Sequence, residues 1–304
     1  MKNTLTLLIL LPLLSFGQKT EEEAFAKIRR ALEYPDTVTV LDLTESNLSF
    51  LPPEIGQLSN LKKLDLTGCN LSFLPPEIGQ LSNLEELGLS YNYRLTSLPP
   101  EIGQLSNLEE LTAIYVPLKS LPPEIGQLTN LRVLKLFENH LTSLPPEIGQ
   151  LSNLENLIVV ENQLTSLPPE IGQLSKLISL TLNDNKLTSL PPEITQLFNL
   201  QHLSLSDNYL QLIPSEIGQL FNLSSLLLSR NKLTALPSEI GQLSNLRYFR
   251  FDDNNLTTLP LGIEKLSNLT EVCYFNQNLP PEYISQLKWK LPNCRFEEFE
   301  PPGM

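Results

Sequence analysis

The sequence predicts an α/β solenoid, a horseshoe with a parallel concave sheet of about eleven strands and a cap at each end. An eleven-residue phrase, LPPEIGQLSNL, occurs unchanged at residues 51–61, 74–84, 98–108 and 144–154, and six near-copies bring the total to ten. The spacing is 23 residues, except for one step of 24 between Leu74 and Leu98. Units of this period bury their apolar faces only against their neighbours, so they stack into solenoids.

Residues 1–17 predict a secretory signal peptide. One lysine precedes an apolar stretch from Leu5 to Leu14, and small residues lead up to a cleavage site after Gly17. About ten apolar residues, interrupted by Pro12, are too few to span a bilayer. We therefore expect the mature protein to be secreted, periplasmic or at the cell surface, without membrane insertion after signal cleavage.

The chain is acidic, with 21 basic and 34 acidic residues and a formal net charge of −13. Nucleic acids and anionic membrane surfaces need a basic footprint on the protein, so the charge argues against both as partners. It remains compatible with a partner that carries basic groups, or with solubility alone.

Residues 18–37 predict an N-terminal capping helix. Thr20 fits the N-cap position and Glu23 the N3 position of a capping box, and the helix is expected to run through about Glu33. One side of this helix should close the first repeat, through Phe25, Ile28 and Leu32.

The repeat array is predicted to span residues 38–279, and the unit at 131–153 represents its geometry. Side chains alternate along a strand, so Leu134 and Leu136 point inward while Val133, Lys135 and Phe137 point outward. An asparagine then satisfies backbone groups left unpaired where the strand ends. It recurs as a ladder at Asn92, Asn139, Asn162, Asn185, Asn208, Asn231 and Asn254.

The return path of each unit begins with proline and glutamate, which predict a short helical turn. In the unit at 131–153, Ile148 and Leu151 place an apolar stripe behind the strand, and Leu154 of the next unit continues it.

Residues 280–304 predict the C-terminal cap, with a helix from Tyr283 to Leu291 and a last strand within 293–299. In that register Cys294 points inward beside Val272, whereas Cys273 points outward. A disulfide between the two cysteines would therefore be poorly aimed. Three cysteines, with Cys69 as the other, are also too few for a disulfide framework.

The repeated phrase, with its leucines, asparagine and LPxEIGxLxxL return path, resembles the secreted bacterial leucine-rich repeat proteins of the 23-residue type. The resemblance covers about residues 38–279. The same repeat subtype is similar to that of intracellular eukaryotic signalling scaffolds, which fit a signal peptide less well. The resemblance implies a recognition scaffold that contacts partners with its concave sheet, without specifying the partner.

Several units depart from the pattern, mostly near residues 91–118. The ladder position holds Ser46, Cys69, Val116 and Gln277 instead of asparagine, the fourth strand carries Ala113 and Pro117, and the preceding unit contains the one-residue insertion. This irregularity marks the region as a candidate for a specific role.

No catalytic constellation is found, so we expect no enzyme activity and no cofactor. The two histidines, His140 and His202, lie nearly three repeats apart, which separates them by well over about 10 Å at the strand spacing. Cys69 replaces a ladder asparagine and reads as a buried structural thiol.

Five carboxylates precede ladder asparagines and predict an acidic ridge rather than a metal site. Two neighbours would supply only part of the six to eight oxygens that Ca²⁺ takes. A solvated ridge, which would also suit a basic partner, is the favoured interpretation of Glu138, Glu161, Asp184, Asp207 and Asp253.

The outward strand positions vary while the frame stays constant, and apolar residues gather on strands three to six. Exposed apolar and aromatic clusters are commonly contact surfaces, although scattered apolar residues are also ordinary β-formers. The sequence predicts binding of a protein or peptide by Tyr91, Ile114, Tyr115, Val133, Phe137, Glu138, Ile158, Val160 and Glu161. Tyr248 and Arg250 form a secondary candidate. The alternative is a structural or adhesive envelope component that assembles through its convex face.

Overall fold

The computed structural model describes residues 20–275 and 279–297. Twelve three-residue strands form one open parallel sheet in which spatial order follows chain order. This confirms the predicted fold class, with eleven repeat strands and the last strand of the C-terminal cap. The strands β1 to β12 are Val40–Asp42, Lys63–Asp65, Glu86–Gly88, Glu110–Thr112, Val133–Lys135, Asn156–Ile158, Ser179–Thr181, His202–Ser204, Ser225–Leu227, Tyr248–Arg250, Glu271–Cys273 and Arg295–Glu297.

Each return path contains a 3₁₀ turn, as the proline and glutamate predict. Pro145 is extended at the N-cap of one such turn, and Pro146 follows at the first helical position, where the missing N–H costs nothing. After a first short turn at Pro35–Thr37, the turns are Pro53–Gln57, Pro76–Gln80, Pro100–Gln104, Pro123–Gln127, Pro146–Gln150, Pro169–Gln173, Pro192–Gln196, Ser215–Gln219, Ser238–Gln242 and Leu261–Lys265.

One continuous apolar core lies between the sheet and the turns. In the unit at 131–153, Leu134 and Leu136 of the strand and Ile148 and Leu151 of the return path are all 0% exposed. The alternation of faces along the strand is confirmed, since Val133 and Lys135 are only half-buried. The side of the sheet opposite the core is called the open face below, and Leu227 of β9 is the one leucine that the described strands place there.

The asparagine ladder forms as predicted. Asn162 donates from Nδ2 to the Leu136 carbonyl of the preceding unit at 2.7 Å, and its Oδ1 accepts from the Leu141 N–H at 3.0 Å. Both bonds reach the neighbouring repeat, so the side chain joins units as well as ending a strand. Equivalent bonds are made by Asn92, Asn139, Asn185, Asn208, Asn231 and Asn254.

The substituted ladder positions show what the asparagine supplies. The Cys69 thiol donates to the Leu43 carbonyl at 3.2 Å and lies 3.4 Å from the Ser46 hydroxyl, so it keeps part of the ladder. Val116 makes no such bond, and the Leu95 N–H that would face an asparagine there donates to the Asn92 carbonyl at 3.1 Å. Gln277 lies outside the described residues.

A second asparagine ladder, which the sequence analysis did not identify, runs along the turns. Asn153 donates from Nδ2 to the Thr129 carbonyl at 2.7 Å. The next unit has Lys176 at this place, and its Nζ donates to Asn153 Oδ1 at 2.6 Å. The other members are Asn60, Asn83, Asn107, Asn130, Asn199, Asn222, Asn245 and Asn268.

The glycine of the repeated phrase permits close stacking of the turns. A Cβ on Gly126 would lie 2.6 Å from the Glu147 carbonyl oxygen of the next turn, inside any normal contact distance. At the one PEITQ copy, Thr195 occupies this position, buried, with its hydroxyl donating to the Pro192 carbonyl at 2.8 Å.

The N-terminal cap matches its prediction. Helix α1, Glu21–Glu33, begins with the capping box between Thr20 and Glu23, at 2.9 and 3.2 Å. The Glu21 carboxylate accepts from the Ser49 N–H and hydroxyl, which lowers the pKa of Glu21 and fastens the helix to the array. Ile28 is buried against the core, with Phe25 and Leu32 packed partly buried beside it.

The C-terminal cap differs from its prediction in register. Helix α2 is Pro281–Lys290 rather than Tyr283–Leu291. Phe296, not Cys294, pairs with Val272, so the expected neighbour of Val272 was wrong by two residues. The inward direction of Cys294 holds, because residues two apart share a face.

Cys273 pairs with Arg250 at the outward strand position expected for it, but its side chain is 1% exposed rather than open to solvent. Burial, and then the neighbouring Asp252, raise the pKa of its thiol to about 12, and Cys273 and Cys294 are both free thiols. The expected signal peptide at 1–17 and the end of the cap at 298–304 lie outside the described residues. No described helix is long and apolar enough to cross a membrane.

Candidate binding surface

A row of residues with left-handed backbone runs along one edge of the open face. Each precedes a ladder position, where the strand ends and the chain turns. Such φ values are uncommon for non-glycine residues, and no sequence signal beyond Gly68 marked them. The row comprises Glu45, Gly68, Tyr91, Tyr115, Glu138, Glu161, Asp184, Asp207, Arg230 and Asp253, with φ between 47° and 69°.

Aromatic rings form a continuous stack at this edge, beside strands β3 to β5. Tyr91 and Tyr115 are parallel, with centroids 5.1 Å apart and an angle of 15°. Phe137 meets Tyr115 edge-on at 5.7 Å, and Tyr93, which belongs to the inserted segment, meets Tyr91 at 6.4 Å. Tyr91 and Tyr93 are 42% and 66% exposed, so the outer end of the stack is open to a partner.

The structure brings three of the predicted aliphatic and aromatic residues into one row. Ile114, Phe137 and Val160 stand at equivalent places on successive units, and the Tyr115 N–H donates to the Phe137 carbonyl. All three are half-buried, whereas the leucines between them form the core. This row and the aromatic stack make one surface, called the aromatic row below.

Val133 and Ile158 lie on the open face but apart from each other. In the sheet register Val133 is opposite Asn156, and Ile158 is opposite Lys135. Both are half-buried. They therefore border the aromatic row rather than complete a single apolar patch.

Carboxylates border the aromatic row on its C-terminal side. The neighbouring Glu138 carboxylate raises the pKa of the Tyr115 phenol. Desolvation, followed by a hydrogen bond and charge repulsion with Glu138, raises the pKa of Glu161. The carboxylates of Glu138 and Glu161 stand on adjacent units and repel each other, so a cationic group placed between them would be attracted to both.

Further along the edge, Arg230 interrupts the acidic row between Asp207 and Asp253. Desolvation raises the pKa values of Asp184 and Asp207. Arg230 lies 3.6 Å from Asp207 and 3.7 Å from Asp253. The ridge predicted as solvated is thus partly neutralised at this end. Within residues 20–275 and 279–297, no group of three or more His, Cys, Asp or Glu is placed to hold a metal ion.

The two residues of the secondary candidate, Tyr248 and Arg250, differ in their contacts. Tyr248 is 46% exposed. Arg250 is held within the sheet face, because its guanidinium donates to Glu271 at 2.7 Å and lies 3.8 Å from Glu297. Only Tyr248 of this pair is available to a partner without breaking an ion pair.

Residues 38–139, 123–203 and 191–289 each match a family model that is described as a leucine-rich repeat region. The chain belongs to the leucine-rich repeat family. The comparison with curated proteins gives no match.

Solved leucine-rich repeat structures are similar to this chain over most of its length. The internalin InlF of Listeria monocytogenes is 22% identical with a TM-score of 0.72, and the match covers 85% of this chain and 73% of that one. A TDR receptor is 29% identical with a TM-score of 0.79, covering 90% and 49% of the two chains. The plant peptide hormone receptor RGFR1, solved in complex with RGF2, is 28% identical with a TM-score of 0.56, covering 84% and 50%. The chain therefore spans about half the length of these two receptors.

Proposed function

We propose that this protein is an exported, non-catalytic leucine-rich repeat scaffold that binds a protein or peptide through the aromatic row on its open face. The bordering residues are Val133, Glu138, Ile158 and Glu161, and Tyr248 is a secondary contact. The observation that carries the proposal is the division of faces: the repeat leucines fill the core, and the aromatic row lies just beyond the ends of the same strands, away from the core.

The composition of the surface favours a protein or peptide ligand. Interface hot spots are enriched in tyrosine and other large side chains, surrounded by residues that exclude water. Tyr91, Tyr115 and Phe137 supply rigid rings whose positions are fixed by stacking. Such rings lose little conformational freedom when a partner binds.

The family comparison supports the same ligand class. A plant peptide hormone receptor with 28% identity, solved in complex with RGF2, has the fold that this chain shares. The proposed export is supported by the N-terminal sequence pattern. The proposal that the protein is non-catalytic rests on the wide separation of its two histidines and on the repeat pattern that accounts for its serines.

The test is a crosslinking pull-down with Phe137→Asp. We expect the variant to keep its circular dichroism spectrum and to lose the partner captured by the wild-type protein, because a carboxylate would stand in the middle of the aromatic row. Ser225→Asp is the matched control, since it adds the same charge at a half-buried open-face position on β9. Equal capture by Phe137→Asp and wild type would exclude the aromatic row as the binding surface.

A structural or adhesive role is the second candidate, favoured by exposed aromatic rings on the turn side. Phe198 and Phe221 occupy the same position in successive units and are 58% and 55% exposed. Paired rings of this kind fit self-association of turn faces. Light scattering that rises with protein concentration, and is abolished by Phe198→Ser together with Phe221→Ser, would favour this role.

A further inference from the structure

A depression interrupts the open face beside the aromatic row, across strands β2, β3 and β4. It has a volume of about 260 Å³ and opens to solvent. Gly88 forms its floor, and charged or polar side chains form its walls: Lys63, Asp65, Thr67, Glu86, Glu110 and Thr112.

Gly88 creates this depression because it removes one side chain from a regular column. At the third position of β1 to β11, the other ten strands carry side chains: Asp42, Asp65, Thr112, Lys135, Ile158, Thr181, Ser204, Leu227, Arg250 and Cys273. Glycine weakens a strand interior and often marks a close approach by another group. The Asp65 carboxylate leans into the vacated space, 2.9 Å from where a Cβ of residue 88 would stand.

The charges around the depression are not balanced. Lys63 pairs with Glu86 at 2.6 Å, and Lys135 pairs with Glu110 at 2.7 Å. Asp65 accepts a hydrogen bond from the Thr67 N–H at 3.0 Å. No basic nitrogen among the described residues comes within the 4.0 Å of an ion pair with Asp65. Three carboxylates thus face two ammonium groups.

We propose that this depression receives a basic side chain of the protein or peptide partner, with its charge against Asp65 and its aliphatic stem over Gly88. The proposal rests on the proposed function and adds the chemistry of one subsite. The two ion pairs at its rim show that lysine ammonium groups of this chain already pair with the neighbouring carboxylates, Glu86 and Glu110. The aliphatic stems of lysine and arginine pack over apolar surface while the charged group stays in contact with polar groups or water.

The subsite also predicts the spacing of the partner's side chains. Gly88 precedes Tyr91 by three residues, and the turn at Ser90 and Tyr91 keeps the two within about 10 Å of each other. An extended peptide that places an aromatic or large aliphatic residue on the aromatic row would therefore place a basic residue in the depression about three positions away.

The probe is a phage-displayed library of random dodecapeptides, selected against the full chain. We expect the selected peptides to share a lysine or arginine two to four residues from an aromatic or large aliphatic residue. One selected peptide and its copy with norleucine in place of that basic residue are then titrated against the protein by calorimetry.

Gly88→Val fills the depression, and a β-branched residue suits a strand. It should weaken binding of the selected peptide by at least about tenfold, and Thr181→Val, at the same strand position on β7, should leave it unchanged. Asp65→Asn keeps the shape and removes the charge. Asp65→Asn should weaken binding of the basic peptide by a similar factor and leave binding of the norleucine copy unchanged.

The outcomes separate the subsite from the proposed function. Peptides that need Phe137 but lack a shared basic residue, or that bind Gly88→Val as well as wild type, would overturn the subsite and leave the aromatic row standing. Peptides enriched only in hydroxyl or amide side chains would do the same. Peptides indifferent to Phe137→Asp, or the absence of any selected peptide, would overturn both.

Discussion

Single side chains in this protein are best understood by the backbone groups that they satisfy. Asn162 donates to one backbone group of the preceding unit and accepts from another, whereas the Cys69 thiol replaces only the first bond, by donating to the Leu43 carbonyl. Removing a partner from a buried amide costs about 1–3 kcal/mol, so each ladder position carries a measurable part of the stability. Val116 forgoes this bond next to the aromatic row, where the repeat is least regular.

The carboxylate pair at the edge of the aromatic row should make stability depend on pH. The pKa of Glu161 is raised in the folded state, so its contribution is present below the unfolded pKa and is lost as pH rises through the folded value. Glu161→Gln should therefore gain free energy of unfolding relative to wild type between pH 4 and pH 7, by less than about 1 kcal/mol for an exposed group. Urea unfolding at both pH values measures the difference.

Glu138→Gln is the companion variant, because it removes the other charge of the pair. It should remove the part of the pH dependence that comes from the pair and leave the part that comes from desolvation of Glu161. A difference between Glu161→Gln and wild type that stays constant from pH 4 to pH 7 would show that repulsion between the two carboxylates is negligible.

At the scale of elements, the sequence predicted the strands well because each has the same three constraints. Leucines two apart, an asparagine beyond them and a proline-led return path define β5 and its 3₁₀ turn without help from the rest of the chain. The cap strand β12 lacks these signals. Its register depends on where α2 ends, at Lys290, and the position of Cys294 was therefore misjudged by two residues.

Close approach of successive turns should make a glycine such as Gly126 intolerant of substitution, whereas the turn that carries Thr195 already accommodates a side chain at this position. Gly126→Ala would force a methyl group against the Glu147 carbonyl oxygen and should lower the free energy of unfolding by about 1–3 kcal/mol. Gly88→Ala adds the same methyl group on the open face, where the nearest atom is the movable Asp65 carboxylate. Chemical denaturation of both variants should show a large loss for Gly126→Ala alone, and equal midpoints would contradict the stacking argument.

At the scale of the whole molecule, each unit is stabilised by its contacts with the units on either side. Each repeat contacts its neighbours, so the array depends on a cover at its first unit. Helix α1 provides it through Ile28, through the ring pair of Phe25 and Phe50 at 5.3 Å, and through Glu21 bound to Ser49. The second asparagine ladder begins at the same end, where Asn60 donates to the Asp36 carbonyl.

Loss of this cover should loosen the first repeats before the rest. Ile28→Ala removes a fully packed side chain at a cost of about 2–5 kcal/mol. Hydrogen exchange measured by mass spectrometry should show faster exchange at β1 and β2, with β6 to β8 unchanged. Arg29→Ala, an exposed neighbour on α1, is the control. Uniformly faster exchange along the array would indicate a single cooperative unit instead.

The candidate surface was predictable only in part. Alternation along the strands placed Ile114, Phe137 and Val160 on the open face, and the structure keeps them there as one row. Contacts between units determine the rest, and a single repeat does not contain them. They include the left-handed backbone at Tyr91 and Tyr115 and the ion pair that holds Arg250. Which partner the surface takes depends on chemistry outside the chain.

The two asparagine ladders also bear on how such a chain changes length. Because each amide reaches a carbonyl of the unit before it, a whole duplicated unit of 23 residues would find every acceptor already in place. The extra residue near Tyr93 and Arg94 sits outside both ladders, exposed, and leaves the pairing of β3 with β4 in step. Growth by complete units and variation at exposed bends are thus the changes that this architecture accommodates with its hydrogen bonding intact.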